Sequence, residues 1–294
     1  MMKTKLAKAV SLAVAGLALS ASASNTSAHV MYNTALATDQ VGGTDGWVWN
    51  GQGNPGYATG TYTPWLGTAG GALPFGYSGA THLNWAAAIH DSDVLTVSEA
   101  AAAAAYNGAQ VEIDTGAGAW RDVNGTGWKH QTDLGLIKAD FSTLVRINIS
   151  RVGTPSDPGL PNDNFGVTIY EGMSAATTYS HHGRWNCPTV GPGCNAAQVV
   201  NYDSTAQWGA NNGLVFKKYD ATVDATNYIE FFANAGQVYT VALGGNGVGT
   251  WAANVSDYAL TVQAVPVPGA VWLFGSAMAG LIGFGGRRKA AVAA

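Results

Sequence analysis

The sequence predicts a mainly β protein: an antiparallel β-sandwich with one short alanine-rich helix, an N-terminal signal helix and a C-terminal transmembrane helix. Three observations carry that prediction. Beyond Asp140, apolar and polar residues alternate with a period of two, as in Val145, Ile147 and Ile149 against Arg146, Asn148 and Ser150. Asn/Gly turns such as Asn234-Ala235-Gly236 separate these runs. Each end of the chain carries an uncharged apolar stretch beside a small basic cluster.

The elements follow in chain order. Lys3, Lys5 and Lys8 precede the apolar segment Ala9 to Leu19, and small residues come next, the layout of a secretory signal peptide over residues 1–23. Ala21-Ser22-Ala23 is the favoured cleavage site on spacing. Thr26-Ser27-Ala28 is the alternative, and cutting there leaves His29 as the new N-terminus.

Residues 24–139 form a first, less regular part of the body. The stretch from Gly42 to Gly79 is rich in Gly, Thr, Tyr, Trp and Pro. Sugar rings stack on exposed aromatic faces, so Trp47, Trp49 and Trp65 are candidate glycan contacts, although aromatics of this size more often fill cores. One helix is expected, capped by Thr96 with Glu99 as the capping-box partner, running through Ala100–Ala105 and closed by Asn107-Gly108. Val111–Ile113 and Leu134–Ile137 read as strands.

Residues 140–264 form the regular part. Strands are expected at Leu144–Arg151, Phe165–Ile169, Tyr228–Phe232, Val238–Leu243 and Tyr258–Val262. Glu171-Gly172 and Gly244-Gly245-Asn246-Gly247 read as turns. Each strand is expected to bury one face against a second sheet and keep the other wet. No clean linker divides the two parts, and one continuous body is favoured over two domains.

The phrases Phe165-Gly166-Val167-Thr168-Ile169-Tyr170-Glu171-Gly172, Gly236-Gln237-Val238-Tyr239-Thr240-Val241 and Ser256-Asp257-Tyr258-Ala259-Leu260-Thr261-Val262 are similar to bacterial pre-peptidase C-terminal domains. That resemblance spans about Phe141 to Ala264. It implies a jelly-roll-like accessory module without catalysis of its own.

Residues 265–294 form the tail. Val265-Pro266-Val267-Pro268 disfavours helix, since proline lacks a backbone donor and restricts the residue before it. Residues 269–286 then carry no charge and are near the shortest length for a spanning helix. Arg287, Arg288 and Lys289 would hold the far end on the cytoplasmic side. This order resembles the PEP-CTERM sorting signal of Gram-negative bacteria, with Val267 where an acidic residue is usual. The resemblance implies cleavage by an exosortase, a precursor anchored in the inner membrane, and a mature form in the envelope, on the outer surface or in the extracellular matrix beside exopolysaccharide.

Charge and cysteine content bound the rest. The 294 residues carry 14 basic and 18 acidic groups. Six basic and no acidic residues lie in the signal and tail, leaving 8 against 18 in the body. That argues against binding nucleic acid through a basic surface. Cys187 and Cys194 enclose Pro-Thr-Val-Gly-Pro-Gly and are expected to pair as a disulfide in an oxidising compartment. A two-thiolate metal site is the alternative.

No catalytic motif is present: no Gly-x-Ser-x-Gly, no His-Glu-x-x-His, no phosphate loop and no dinucleotide fingerprint. Glu112 and Asp114, two apart on an expected strand, form a candidate acid pair, although solvated strand carboxylates are commoner. Asp157 and Asp163 with Asn162 and Asn164 offer oxygen ligands for calcium, against a plain turn. His29, His181 and His182 are candidate copper or zinc ligands, with His82, His90 and His130 elsewhere in the chain. An N-terminal His29 would offer both an α-amine and a ring nitrogen, and so resemble the histidine brace of copper proteins; solvated loop histidines are the commoner case.

The sequence therefore reads as an exported, exosortase-processed envelope or matrix protein with a non-catalytic structural or adhesive body. A carbohydrate- or metal-binding surface module, with copper or calcium as the ion, is one alternative. A secreted copper oxidoreductase is the other.

Overall fold

The computed structural model describes residues 29–34, 65–92, 94–128, 132–152, 164–176, 184–186, 213–247 and 256–265. The expected signal helix and the helix at 269–286 lie outside them. Among the described residues no helix is long and apolar enough to cross a membrane.

The first part of the body supplies β1 (His29–Asn33), β2 (Trp65–Leu66), β3 (Trp85–Ile89), β4 (Val94–Val97), α1 (Glu99–Ala105), β5 (Asp114–Thr115), β6 (Gly127–Trp128) and β7 (Asp133–Ala139). The second part supplies β8 (Thr143–Arg151), β9 (Phe165–Glu171), β10 (Arg184–Trp185), β11 (Val215–Val223), β12 (Ile229–Ala233), β13 (Val238–Gly245) and β14 (Ser256–Val265). A seven-stranded sheet runs β11-β9-β13-β7-β3-β1-β2. A second sheet runs β12-β8-β14-β4, with β5 paired to β14, and β10 pairs with β6 in a short ribbon. Strands from either side of residue 140 share both sheets.

The protein is mainly β, as its alternation predicts, but the large sheet is mixed. β3 pairs with β7 in parallel, with Trp85 opposite Gly135 and Ile89 opposite Ala139. A parallel neighbour needs a long crossover, and here the connection carries β4 into the other sheet and α1 beyond it. Nothing in the local pattern of either strand announces this pairing.

Burial departs from the expected alternation. In the second sheet the rule holds: Val145, Ile147 and Ile149 of β8 are fully buried while Arg146, Asn148 and Ser150 are not. They share one apolar core with Ile229, Leu260 and Val262 and with Val167, Ile169, Val241 and Ile137 of the large sheet. The large sheet is covered on its other face too, where Trp65, Tyr77, Leu83, Trp120 and Trp185 join Leu134, Leu136 and Tyr170 in a second core. Every residue of β13 is therefore buried. Neither face of that strand is wet, which is why its polar positions are few.

Trp120 explains the glycines of this region. Gly166 and Gly244 are direct cross-strand partners, and a Cβ on Gly166 would stand 1.9 Å from the Trp120 ring. The Trp120 amide donates to the Gly245 carbonyl at 3.0 Å, and the Gly245 amide donates to Gly116 O at 3.1 Å. The expected turn at Gly244-Gly245 is thus strand, kept bare so that the 116–120 segment can lie on it.

Other corrections are local. The helix is capped by Ser98, whose Oγ accepts the Ala101 amide at 3.0 Å; Thr96 belongs to β4. Its C-terminus closes as expected, with Asn107 and Gly108 at φ of 56° and 77° and the Gly108 amide on Ala103 O at 2.7 Å. Val111–Ile113 is an irregular lead into β5, although the Ile113 carbonyl accepts the Tyr258 amide at 3.2 Å.

Buried phenols give the fold an alkaline limit. Burial pushes the Tyr32 hydroxyl up to about 12, its hydrogen bond near Ser98 offsetting part of the effect. It raises Tyr77 and Tyr170 as well. An unfolded chain sheds phenolic protons near pH 10, while the folded chain keeps these. The unfolded state then binds fewer protons, so stability falls as pH rises above about 10. Tyrosinate absorbance and circular dichroism should change together in that range. Tyrosinate appearing in full before the fold is lost would contradict this.

Candidate metal centre

Strand register builds the site. His29 opens β1 and sits opposite Ala88 of β3. Side chains two apart share a face, so His90, just past Ile89, comes to the same side of the sheet as Ala88 and His29. The two imidazole rings stack with centroids 5.8 Å apart and planes 23° apart.

The parallel pair then supplies a carboxylate. Ile89 and Ala139 are partners, so His90 and Asp140 leave the sheet side by side, and the Asp140 amide donates to the Ile89 carbonyl at 3.0 Å. His90 Nδ1 lies 2.6 Å from Asp140 Oδ2. A carboxylate only accepts, so Nδ1 carries the hydrogen, and in the neutral ring Nε2 is the nitrogen with a lone pair to offer. A carboxylate behind an imidazole in this manner is the usual support of a metal-binding histidine. The His90 side chain is 18% exposed and that of Asp140 is 49% exposed, so the corner opens to solvent.

Neighbouring bonds hold β1 in place. The Tyr106 hydroxyl donates to Val30 O at 2.6 Å. Tyr32 donates to Thr96 O at 3.2 Å, and its ring meets Tyr106 edge-on. On the histidine side of the sheet, Lys138 lies across from Ala88, with its ammonium 5.8 Å from the centroid of the Phe75 ring. Two carboxylates, Asp91 and Asp140, and this one ammonium surround the imidazole pair in sequence and register.

Among the described residues, no group of three or more His, Cys, Asp and Glu side chains is placed to hold a metal ion. The corner thus offers two imidazoles, with Asp140 engaged on a ring rather than serving as a third ligand. Imidazole nitrogen suits copper and zinc.

The other candidates from sequence divide into two groups. Trp65 is packed in the second core at 3% exposure and presents no open face to a sugar. Val265 ends β14. Trp47, Trp49, His181, His182, Asp157, Asp163, Cys187, Cys194, Pro266, Val267, Pro268, Arg287, Arg288 and Lys289 lie outside the described residues. His82 is fully buried. Glu112 and Asp114 line a cavity of about 760 Å³ with Glu99 and Asp257. Because Val111–Ile113 is not a strand, these two carboxyls are not same-face strand neighbours, which removes the premise of the acid pair. Glu99 there accepts the Ile113 amide at 3.4 Å.

Asp140 is the residue that sequence reasoning missed. Its place depends on the parallel pairing of β3 with β7, and that pairing leaves no local signal. His90 was visible only as one histidine among several.

No family model matches the chain, and no curated protein does. Among solved structures, one similar chain is CorA, a surface-associated copper-binding protein important in copper acquisition by Methylomicrobium album BG8. The two share 12% identity, with 60% of this chain and 98% of that chain covered, at a TM-score of 0.31. At that TM-score the likeness carries no argument about fold or function.

Proposed function

We propose that this chain is an exported surface or matrix protein whose β-sandwich body binds a copper- or zinc-class ion through His29 and His90. The observation that carries the reading is the imidazole pair 5.8 Å apart with Asp140 against His90 Nδ1. A solvated histidine needs no such partner, whereas a ligand gains fixed orientation and basicity from it. Copper is held most tightly among first-row divalent ions.

Export is the second half of the proposal, and it rests on sequence. The signal-peptide layout and the tail resembling a PEP-CTERM signal make an exosortase the processing partner and the inner membrane the anchor of the precursor. The envelope, outer surface or exopolysaccharide matrix of a Gram-negative bacterium is the destination. There the body acts as a binding module rather than an enzyme.

Calorimetric titration of the exported protein with Cu(II) and Zn(II) tests the site. Wild type should bind a single ion tightly, His90→Ala should lose that binding, and Asp140→Asn should weaken it about 10–100-fold. Indistinguishable titrations of all three proteins would return the body to a structural or adhesive role.

A further inference from the structure

Among the described residues no third His, Cys, Asp or Glu joins the imidazole pair, but the backbone nitrogen of His29 lies beside it. We infer that the α-amine of His29 is the third donor, so that the site is completed only when processing cuts between Ala28 and His29. This rests on the metal-binding reading above and adds what assembles the site.

The argument begins with what the corner contains. Asp140 Oδ2 is occupied by the His90 ring at 2.6 Å, and among the described residues no further His, Cys, Asp or Glu completes a set of three. His29 is the first residue of β1, so its backbone nitrogen lies at the strand's outer end, beside its own ring. In an uncut chain that nitrogen is an amide, whose lone pair is delocalised into the carbonyl. In a chain beginning at His29 it is an amine, whose lone pair is localised on nitrogen and can bind an ion. Amine, Cα, Cβ, Cγ, Nδ1 and the ion close a six-membered chelate. With Nε2 of His90, whose other nitrogen is spent on Asp140, the donors are all nitrogen, the preference of copper and zinc.

The strand is built to hold this arrangement still. Val30, the next residue, accepts the Tyr106 hydroxyl at 2.6 Å, and Val30 and Tyr32 are buried in the shared core. An amine fixed one residue from such an anchor loses little freedom on binding. Thr26-Ser27-Ala28 meets the small-residue requirement of signal cleavage. A cut after Ala23 instead leaves Ser24 to Ala28 in front of His29 and keeps the nitrogen an amide. The position of the cut therefore acts as the switch between a two-imidazole corner and a chelate.

The test uses the full chain, exported and processed in a bacterial host, with Cu(II) as the probe. The N-terminus is read by mass spectrometry, the affinity by competition titration and the nitrogen donors by electron paramagnetic resonance. Wild type should begin at His29. Ala28→Tyr, which removes the small residue at the cut and diverts it to Ala23, should bind Cu(II) about 100-fold more weakly, as expected when a tethered donor is lost, with one nitrogen coupling missing. If Ala28→Tyr is not exported, transamination of the wild-type α-amine to a ketone makes the same comparison. A wild-type chain beginning at Ser24, or equal affinity in the two proteins, overturns the amine donor and leaves the histidine pair standing. Copper binding that His90→Ala does not alter overturns the histidine pair itself.

Discussion

Gly166→Val is expected to leave little folded protein, although valine is the better strand residue. β9 runs between β11 and β13 with both faces covered. On propensity alone, glycine to valine in such a strand should stabilise it. Packing reverses the sign. A Cβ on Gly166 meets the Trp120 ring at 1.9, 2.2 and 2.4 Å, and Trp120 cannot retreat. Its indole N–H is bonded to Thr168 Oγ1 at 3.0 Å and its amide to Gly245 O at 3.0 Å. Its carbonyl accepts Asn186 Nδ2 at 2.7 Å. Overpacking against a pinned ring should cost more than about 3 kcal/mol. Soluble yield and urea unfolding measure the loss. Pairing the substitution with Trp120→Leu should recover part of it, because the two residues share one space. A stable, folded Gly166→Val protein would mean that Trp120 does not rest on β9.

Trp85→Ala should be the most costly single truncation in the shared core, at about 3–5 kcal/mol. The side chain is fully buried and lies over Gly135, its partner across the parallel pair; a Cβ there would be 2.2 Å from the ring. The glycine and the tryptophan fill one volume between the sheets, and rigid strands on both sides limit collapse into the vacated space. At roughly 2–4 °C per kcal/mol for a body of this size, the melting temperature should fall by about 6–20 °C. A shift of a degree or two would show that Trp85 is not a keystone of the β3–β7 contact.

These two sites also show what could be read from sequence and what could not. The strands of the second sheet were legible because one face is wet and the period-2 pattern survives, as in β8. The helix was legible through its alanines and the Asn107-Gly108 stop, and only its cap moved, from Thr96 to Ser98. β13 was found, but its end was misread: Gly244-Gly245 carries a turn signature, and only the distant Trp120 segment explains why those glycines belong in a strand. β3, reading Trp-Ala-Ala-Ala-Ile, has no alternation at all because both its faces are buried. The His29–His90 corner suffers from the same cause. His29 was singled out by its position next to a cleavage motif, whereas Asp140 reaches His90 through a parallel register set by residues about fifty positions apart. Chemistry that depends on strand order across a sheet is invisible to a reading of neighbours along the chain.

The central claim, that His29 and His90 form one metal-binding corner, is tested most directly by locating the ion. Crystals of the exported protein grown with copper should show a single strong anomalous peak lying in the plane of each imidazole ring, within bonding distance of His90 Nε2 and a His29 ring nitrogen, with Asp140 still on His90 Nδ1. A corner without anomalous signal, or copper bound elsewhere with the two rings turned apart, would contradict it.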